Sequence, residues 1–127
     1  MKKAFLSFFI FVSIISAYDF GNVPEKHLDE IEKLKKPLMV MVGKTECIWC
    51  ESMAPQIKEI LESYPKTLIY YFNVEMDILA SINRNISELP VQLFYDENGK
   101  EVGRHTGYMG KDEIIEYLQN YGILGEE

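Results

Sequence analysis

Thr45-Glu46-Cys47-Ile48-Trp49-Cys50-Glu51 holds both cysteines of the 127-residue chain and spaces them C-x-x-C. It follows an unbroken apolar run at 38–42, of strand length and suited to a strand covered on both faces. After it, Met53, Ile57, Ile60, Leu61 and Tyr64 recur on one helical face while Lys58, Glu59 and Glu62 fall elsewhere. The pair therefore sits at a strand-to-helix junction, where unsatisfied backbone N–H groups favour a thiolate. Pro55, inside the helical pattern, must kink the helix or restart it, because it lacks an N–H and crowds the carbonyl four residues back.

Working outward toward the N-terminus, residues 24–36 carry Leu28, Ile31 and Leu34 among charges and predict a surface helix. Pro24 suits its first position and Pro37 ends it. Residues 18–23 read either as a linker or as a brief edge strand. Before them, Lys2 and Lys3 precede an apolar run at 4–17, broken only by serines, which is a secretory signal pattern. Cleavage is expected after Ala17. The run is short of the roughly 20 apolar residues that a membrane-spanning helix needs. The expected organisation is thus a signal peptide at 1–17 and one domain at 18–127, a length that suits one core.

Toward the C-terminus, the β-branched and aromatic stretch 67–74, with Tyr70, Tyr71 and Phe72 alternating, predicts a second central strand. A short helix at 77–83 follows, with Asp77 as its cap and Ile78, Leu79 and Ile82 expected to face inward. Strands at 91–95 and 101–105 flank a polar loop containing Asn98-Gly99, which makes an antiparallel hairpin. A helix at 111–121 closes the chain, with Ile114, Ile115 and Leu118 on one face and Gly122 past its end. The predicted fold class is α/β, a mixed central sheet with helices on both faces, its first strands parallel, and a C-terminal hairpin plus helix. Function is expected at the carboxyl end of the 38–42 strand, where Cys47 lies.

Charge narrows the partners. Without Lys2 and Lys3, 11 basic residues stand against 20 acidic ones, a formal charge near −9 that disfavours nucleic acid and anionic membrane surfaces. One structural disulfide is the plain alternative for two cysteines in an exported chain. A bridge over two residues closes so short a loop that it is a weak staple, and it is better suited to being opened and closed. The spacing predicts Cys47 as the attacking nucleophile and Cys50, one helical turn on, as the resolving thiol. Trp49 offers a flat apolar rim for a substrate segment, or else packs on the sheet edge.

Cys47-Ile48-Trp49-Cys50 with Ala54-Pro55, then Leu89-Pro90-Val91, then Asn98-Gly99 and Gly107, resembles the thioredoxin superfamily over nearly all of the chain beyond residue 17. The resemblance implies a thioredoxin fold in which Pro90 is cis and faces the disulfide, while the backbone at Leu89 pairs with an extended substrate. It implies an exported bacterial thiol:disulfide oxidoreductase whose substrate surface includes Ile48, Trp49, Leu89 and Pro90, working without a cofactor. The chain departs from the family in having Glu46 before the first cysteine and Met41 where thioredoxins carry a buried acid. Glu46 is then a candidate for proton handling, whereas Glu51 reads as a solvated charge.

A carboxylate at Glu46 disfavours the Cys47 thiolate by about 1 kcal/mol near water, partly offset by Lys44. That makes the couple more reducing, by roughly 30 mV per 1.4 kcal/mol, so a reductase is expected. A periplasmic reductant would draw electrons from a membrane dithiol carrier and act on exported protein thiols or disulfides. With no added dimerisation domain, a monomer is expected. Two other classes share the motif: a soft-metal (copper) carrier, and a redox-inert binding module. His27 and His105 lack zinc-ligand spacing with the pair, and no metal is assigned. Asn85-Ile86-Ser87 matches a glycosylation sequon that this reading does not use.

Overall fold

A computed structural model describes residue 20 and residues 23–127. The signal pattern, the cleavage position after Ala17 and the turn formers Gly21 and Asn22 lie outside the described residues. Strand β1 (Leu38–Gly43) is buried along its whole length, as its unbroken apolar run requires. It pairs in parallel with β2 (Ile69–Asn73) and antiparallel with β3 (Val91–Tyr95), which in turn pairs antiparallel with β4 (Glu101–Thr106). The order is β2-β1-β3-β4, a four-stranded mixed sheet among the described residues.

Side chains of β1 alternate between two cores, as the period of a strand dictates. Met39 and Met41 join Met53, Ile57, Ile60, Ile114 and Leu118 on one face, whereas Leu38, Val40 and Val42 join Leu28, Ile31, Phe72 and Ala80 on the other. The first face is covered by α3 (Ala54–Ser63) and α5 (Lys111–Asn120), the second by α1 (Leu28–Leu34) and α4 (Ile78–Asn83). The one-turn helix α2 (Ile48–Glu51) links β1 to α3. Pro55 restarts the helix: α2 ends at Glu51, and α3 begins with the proline in its first turn, where its missing N–H costs nothing.

Two expectations are corrected. The first helix begins at Leu28, not Pro24. His27 caps it, Nδ1 accepting the Asp29 N–H at 3.1 Å while the Glu30 carboxylate accepts the His27 N–H at 3.4 Å, a reciprocal capping box. Pro24 instead belongs to an extended segment beside β2, where its carbonyl accepts the Tyr71 N–H at 2.9 Å and the Lys26 N–H donates to the Tyr71 carbonyl at 3.0 Å. A brief parallel pairing with β2 thus forms at Glu25.

The second correction concerns α4, where Ile78, Leu79 and Ile82 are 62%, 68% and 59% exposed, while Ala80 and Ser81 are buried and Ala80 joins the second core. Polar ties fix the rotation of this six-residue helix. Asp77 accepts the Ala80 N–H at 3.1 Å and is bonded to His27 Nε2 at 2.7 Å. At the other end, Arg84 donates to the Ala80 carbonyl and to both Glu32 oxygens, each at 2.9 Å. The small Ala80 and Ser81 permit the close approach that those ties demand.

Candidate functional site

Register brings the parts together. Gly43 at the end of β1 pairs with Asn73 at the end of β2, and Val42 pairs with Val91 at the start of β3. The loop carrying Cys47, the turn after β2 and the Leu89-Pro90 element therefore share one edge of the sheet.

Cys47 and Cys50 form a disulfide across a Cα–Cα separation of 5.2 Å. Cys47 is half-buried and is the N-cap of α2, its sulfur accepting the Cys50 N–H at 3.2 Å. Cys50 is fully buried. A Cβ on Gly43 would stand 3.2 Å from Cys50 Cβ, Cys50 Sγ and Tyr71 Cε1, so a glycine here lets the second sulfur pack against the strand. Glu46 is exposed and takes a left-handed backbone, φ 58°, immediately before the cap.

Thr45 stitches this loop to the next strand. Its hydroxyl donates to Glu75 Oε1 at 2.6 Å and its N–H to the same oxygen at 3.3 Å, while Asn73 Nδ2 donates to the hydroxyl at 3.3 Å. The Thr45 hydroxyl, followed by its amide, holds the Glu75 carboxyl below its ordinary value, so a fixed negative charge stands beside the cysteine loop.

The Leu89-Pro90 peptide bond is cis and Pro90 is buried. The Pro90 carbonyl accepts the Gly107 N–H at 2.7 Å, and Gly107 has φ 108°, a conformation that favours glycine. Leu89 and Cys47 both pack at the border of the first core, and Leu89 reaches the second core as well. Ile48 and Trp49 are exposed, at 73% and 62%. Trp49 meets Tyr108 edge to face with centroids 5.9 Å apart, so it forms a rim over the loop after β4 and does not pack on the sheet edge.

Three features escaped the sequence reading. Tyr108 is one, and it is held by Gln56, whose Nε2 donates to the Tyr108 oxygen at 3.3 Å. The Thr45–Glu75 tie is the second. The third is Gln92, fully buried opposite Met41 and signalled only as the one polar residue in an apolar strand. Its amide lies 3.2 Å from Met53 Sδ and 3.2 Å from the Gly107 carbonyl, and its oxygen lies 2.8 Å from His105 Nδ1. With Met41 and Gln92 paired across the strands, the interior there holds an amide and two thioethers in place of a carboxylate. His27 is bonded to Asp77 and His105 to Gln92, and no group of three His, Cys, Asp or Glu side chains gathers for a metal among the described residues.

The family model described as a thioredoxin-like domain matches residues 24–122. A thioredoxin of Mycoplasma genitalium is 31% identical over 97 residues, covering 75% of this chain and 92% of that protein. Mitochondrial thioredoxin 3 from Saccharomyces cerevisiae in its oxidised form superposes with a TM-score of 0.69 at 16% identity, over 81% of this chain and 99% of the other. Thioredoxin from Fasciola hepatica gives 0.65 at 20% identity, over 74% and 90%. These likenesses and the C-x-x-C pair support thiol:disulfide oxidoreductase chemistry. The chain belongs to the thioredoxin superfamily, with a mixed four-stranded sheet and a Cys47–Cys50 pair at its functional edge.

Proposed function

We propose that this protein is an exported thiol:disulfide oxidoreductase that works in the reducing direction. The observation that carries the exchange chemistry is the asymmetry of the pair: Cys47 is half-exposed at a helix cap and Cys50 is buried. In the dithiol form, Cys47 thiolate attacks one sulfur of a client disulfide, the other client sulfur leaves as a thiolate, and a mixed disulfide remains. Cys50 thiolate then attacks Cys47 Sγ, the second client thiol departs, and the two electrons have passed to the client as Cys47–Cys50 closes. The Cys50 N–H aimed at the Cys47 sulfur would stabilise the thiolate. Ile48, Trp49, Leu89 and Pro90 form the client-facing surface around it.

Glu46 supports the reducing direction, because a carboxylate beside Cys47 disfavours the ionised reduced form. It is also the nearest carboxylate in sequence for taking the Cys47 proton, a role left open by Met41. Lys2, Lys3 and the apolar run after them support export, and a reductant outside the cytosol needs a membrane dithiol carrier to regenerate it.

Trapping tests the reading. Cys50→Ala should freeze the client on Cys47 as a disulfide released by dithiothreitol, and mass spectrometry should identify an exported protein. A trapped cytosolic protein would refute export, and no adduct, together with full activity of Cys47→Ser, would refute exchange chemistry.

A further inference from the structure

Gln92 is the polar exception in β3, wholly buried between Val91 and Leu93 in a strand that is otherwise aliphatic and aromatic. A buried amide is costly unless its groups are bonded, and an aliphatic side chain would fill the strand at no such cost. Its two strong partners both lie toward the end of β4. Nε2 is 3.2 Å from the Gly107 carbonyl, which only accepts, so the nitrogen faces that carbonyl and Oε1 faces His105 Nδ1 at 2.8 Å. His105 is then the donor, with its ring seated edge to face on Tyr117. The remaining N–H of Gln92 meets the Met53 thioether, a weak acceptor, at 3.2 Å.

Gly107 is gripped on both sides. Its N–H donates to the Pro90 carbonyl at 2.7 Å and its C=O accepts from Gln92, so the two bonds pin both peptide planes of a residue with much freedom to lose. Packing does not hold this position, because a Cβ on Gly107 would have nothing within 4 Å. The next residue is Tyr108, whose ring meets Trp49, and Met109 beyond it is anchored in the first core. One buried amide thus links the carbonyl of Pro90 to the aromatic rim. Resting on the thiol-exchange reading of Cys47, we infer that Gln92 is a positioning residue for exchange with protein disulfides. Through Gly107 it holds Pro90 and the Trp49–Tyr108 rim in the geometry that a client meets, and it touches no client itself.

The test uses the reduced full chain with two oxidants, insulin as a protein disulfide and hydroxyethyl disulfide as a small one that needs only Cys47. Gln92→Met keeps the length and the fit of the side chain and removes its amide. It should raise KM for insulin about fivefold, with kcat within about twofold, and leave the hydroxyethyl disulfide rate unchanged. In the same variant Trp49 anisotropy should fall, and the Gly107 amide should exchange with solvent about tenfold faster while the β3 amides keep their protection. His105→Leu, which removes the donor to Oε1 from a half-buried position, should raise KM about twofold and add little to Gln92→Met. The His105 variant carries the test should Gln92→Met not fold.

Wild-type KM for insulin together with wild-type Trp49 anisotropy in Gln92→Met would overturn the inference and leave Gln92 as packing alone. Equal losses on insulin and hydroxyethyl disulfide would also overturn it, because the amide would then act on the thiols and not on the surface around them. Thiol exchange stands in both cases. Failure of the unsubstituted chain to reduce even hydroxyethyl disulfide would instead refute the exchange reading on which the inference rests.

Discussion

Trp49 stands edge to face on Tyr108, with ring centroids 5.9 Å apart and an interplanar angle of 61°, and Gln56 in turn holds the Tyr108 hydroxyl. The rim of the site is therefore braced from α3. Because Trp49 is the single tryptophan of the chain, its anisotropy reports the mobility of this ring without interference from another. Tyr108→Ala should lower the fluorescence anisotropy of Trp49 and raise KM for a protein disulfide about two- to tenfold, in line with an aromatic pair worth about 0.5–1.5 kcal/mol. Tyr108→Phe should keep the anisotropy. An unchanged anisotropy in Tyr108→Ala would show that the ring does not brace the rim.

The unequal burial of the two sulfurs predicts unequal reactivity. After reduction, brief iodoacetamide treatment at neutral pH should label Cys47 and spare Cys50, which is wholly buried. Peptide mapping by mass spectrometry reads the ratio, and equal labelling would contradict the assignment of Cys47 as the attacking thiol.

A Cβ on Gly43 would lie only 3.2 Å from Cys50 and Tyr71, closer than an ordinary van der Waals contact, and both neighbours are buried. Gly43→Ala should therefore cost about 1–3 kcal/mol, the usual toll of overpacking. It should also slow closure of the Cys47–Cys50 disulfide, because the added methyl presses on the resolving sulfur. Denaturant melts and the rate of release from a mixed disulfide check the two effects separately.

Glu32, on α1, accepts two hydrogen bonds from Arg84 at 2.9 Å and one from the Tyr95 hydroxyl at 2.8 Å. Arg84, against the opposing effect of burial, holds its carboxyl below the ordinary 4.5, with Tyr95 adding to the shift. A depressed carboxyl contributes stability that is fully present above about pH 4.5 and is lost as pH falls through the folded value. Glu32→Gln should lower stability at pH 7 by about 1–2 kcal/mol, toward the low end because the pair is partly solvated. The variant should also lose part of the wild type's drop in melting temperature between pH 5 and about pH 3. A parallel drop in both proteins would exclude Glu32 as a source.

Glu46 makes the direction of the couple testable. Glu46→Gln removes the charge beside Cys47, stabilises the thiolate, and should raise the reduction potential by about 20 mV, the equivalent of about 1 kcal/mol. Equilibration with glutathione buffers, followed by Trp49 emission, measures it. A fall in potential would reverse the argument for a reductant.

How far these features were legible differs residue by residue. The C-x-x-C, the apolar run of β1 and the Asn98-Gly99 turn are local signals, and each lands where the pattern put it. For α4, apolar spacing points Ile78, Leu79 and Ile82 inward, yet spacing alone does not fix the orientation of so short a helix. In a six-residue helix, orientation is set by Asp77, His27 and Arg84, whose partners lie on other elements. The start of α1 is not legible locally, because Pro24 suits a helix end and an edge segment equally, and the deciding partner, Tyr71, is distant in sequence. Tyr108 and the Thr45–Glu75 tie belong to the same class of long-range contact and have no signature in spacing.

Phe20 stacks on Tyr71 with centroids 4.5 Å apart, and Tyr71 is one of the two side chains against which Gly43 closes on Cys50. Phe20 is 2% exposed, although it precedes the first residue matched by the family model. The cooperative unit is thus longer at its amino end than its homology suggests. A recombinant chain begun at Pro24 would lack an aromatic plate two layers beneath the redox sulfur, so protein prepared for redox measurements should keep Phe20.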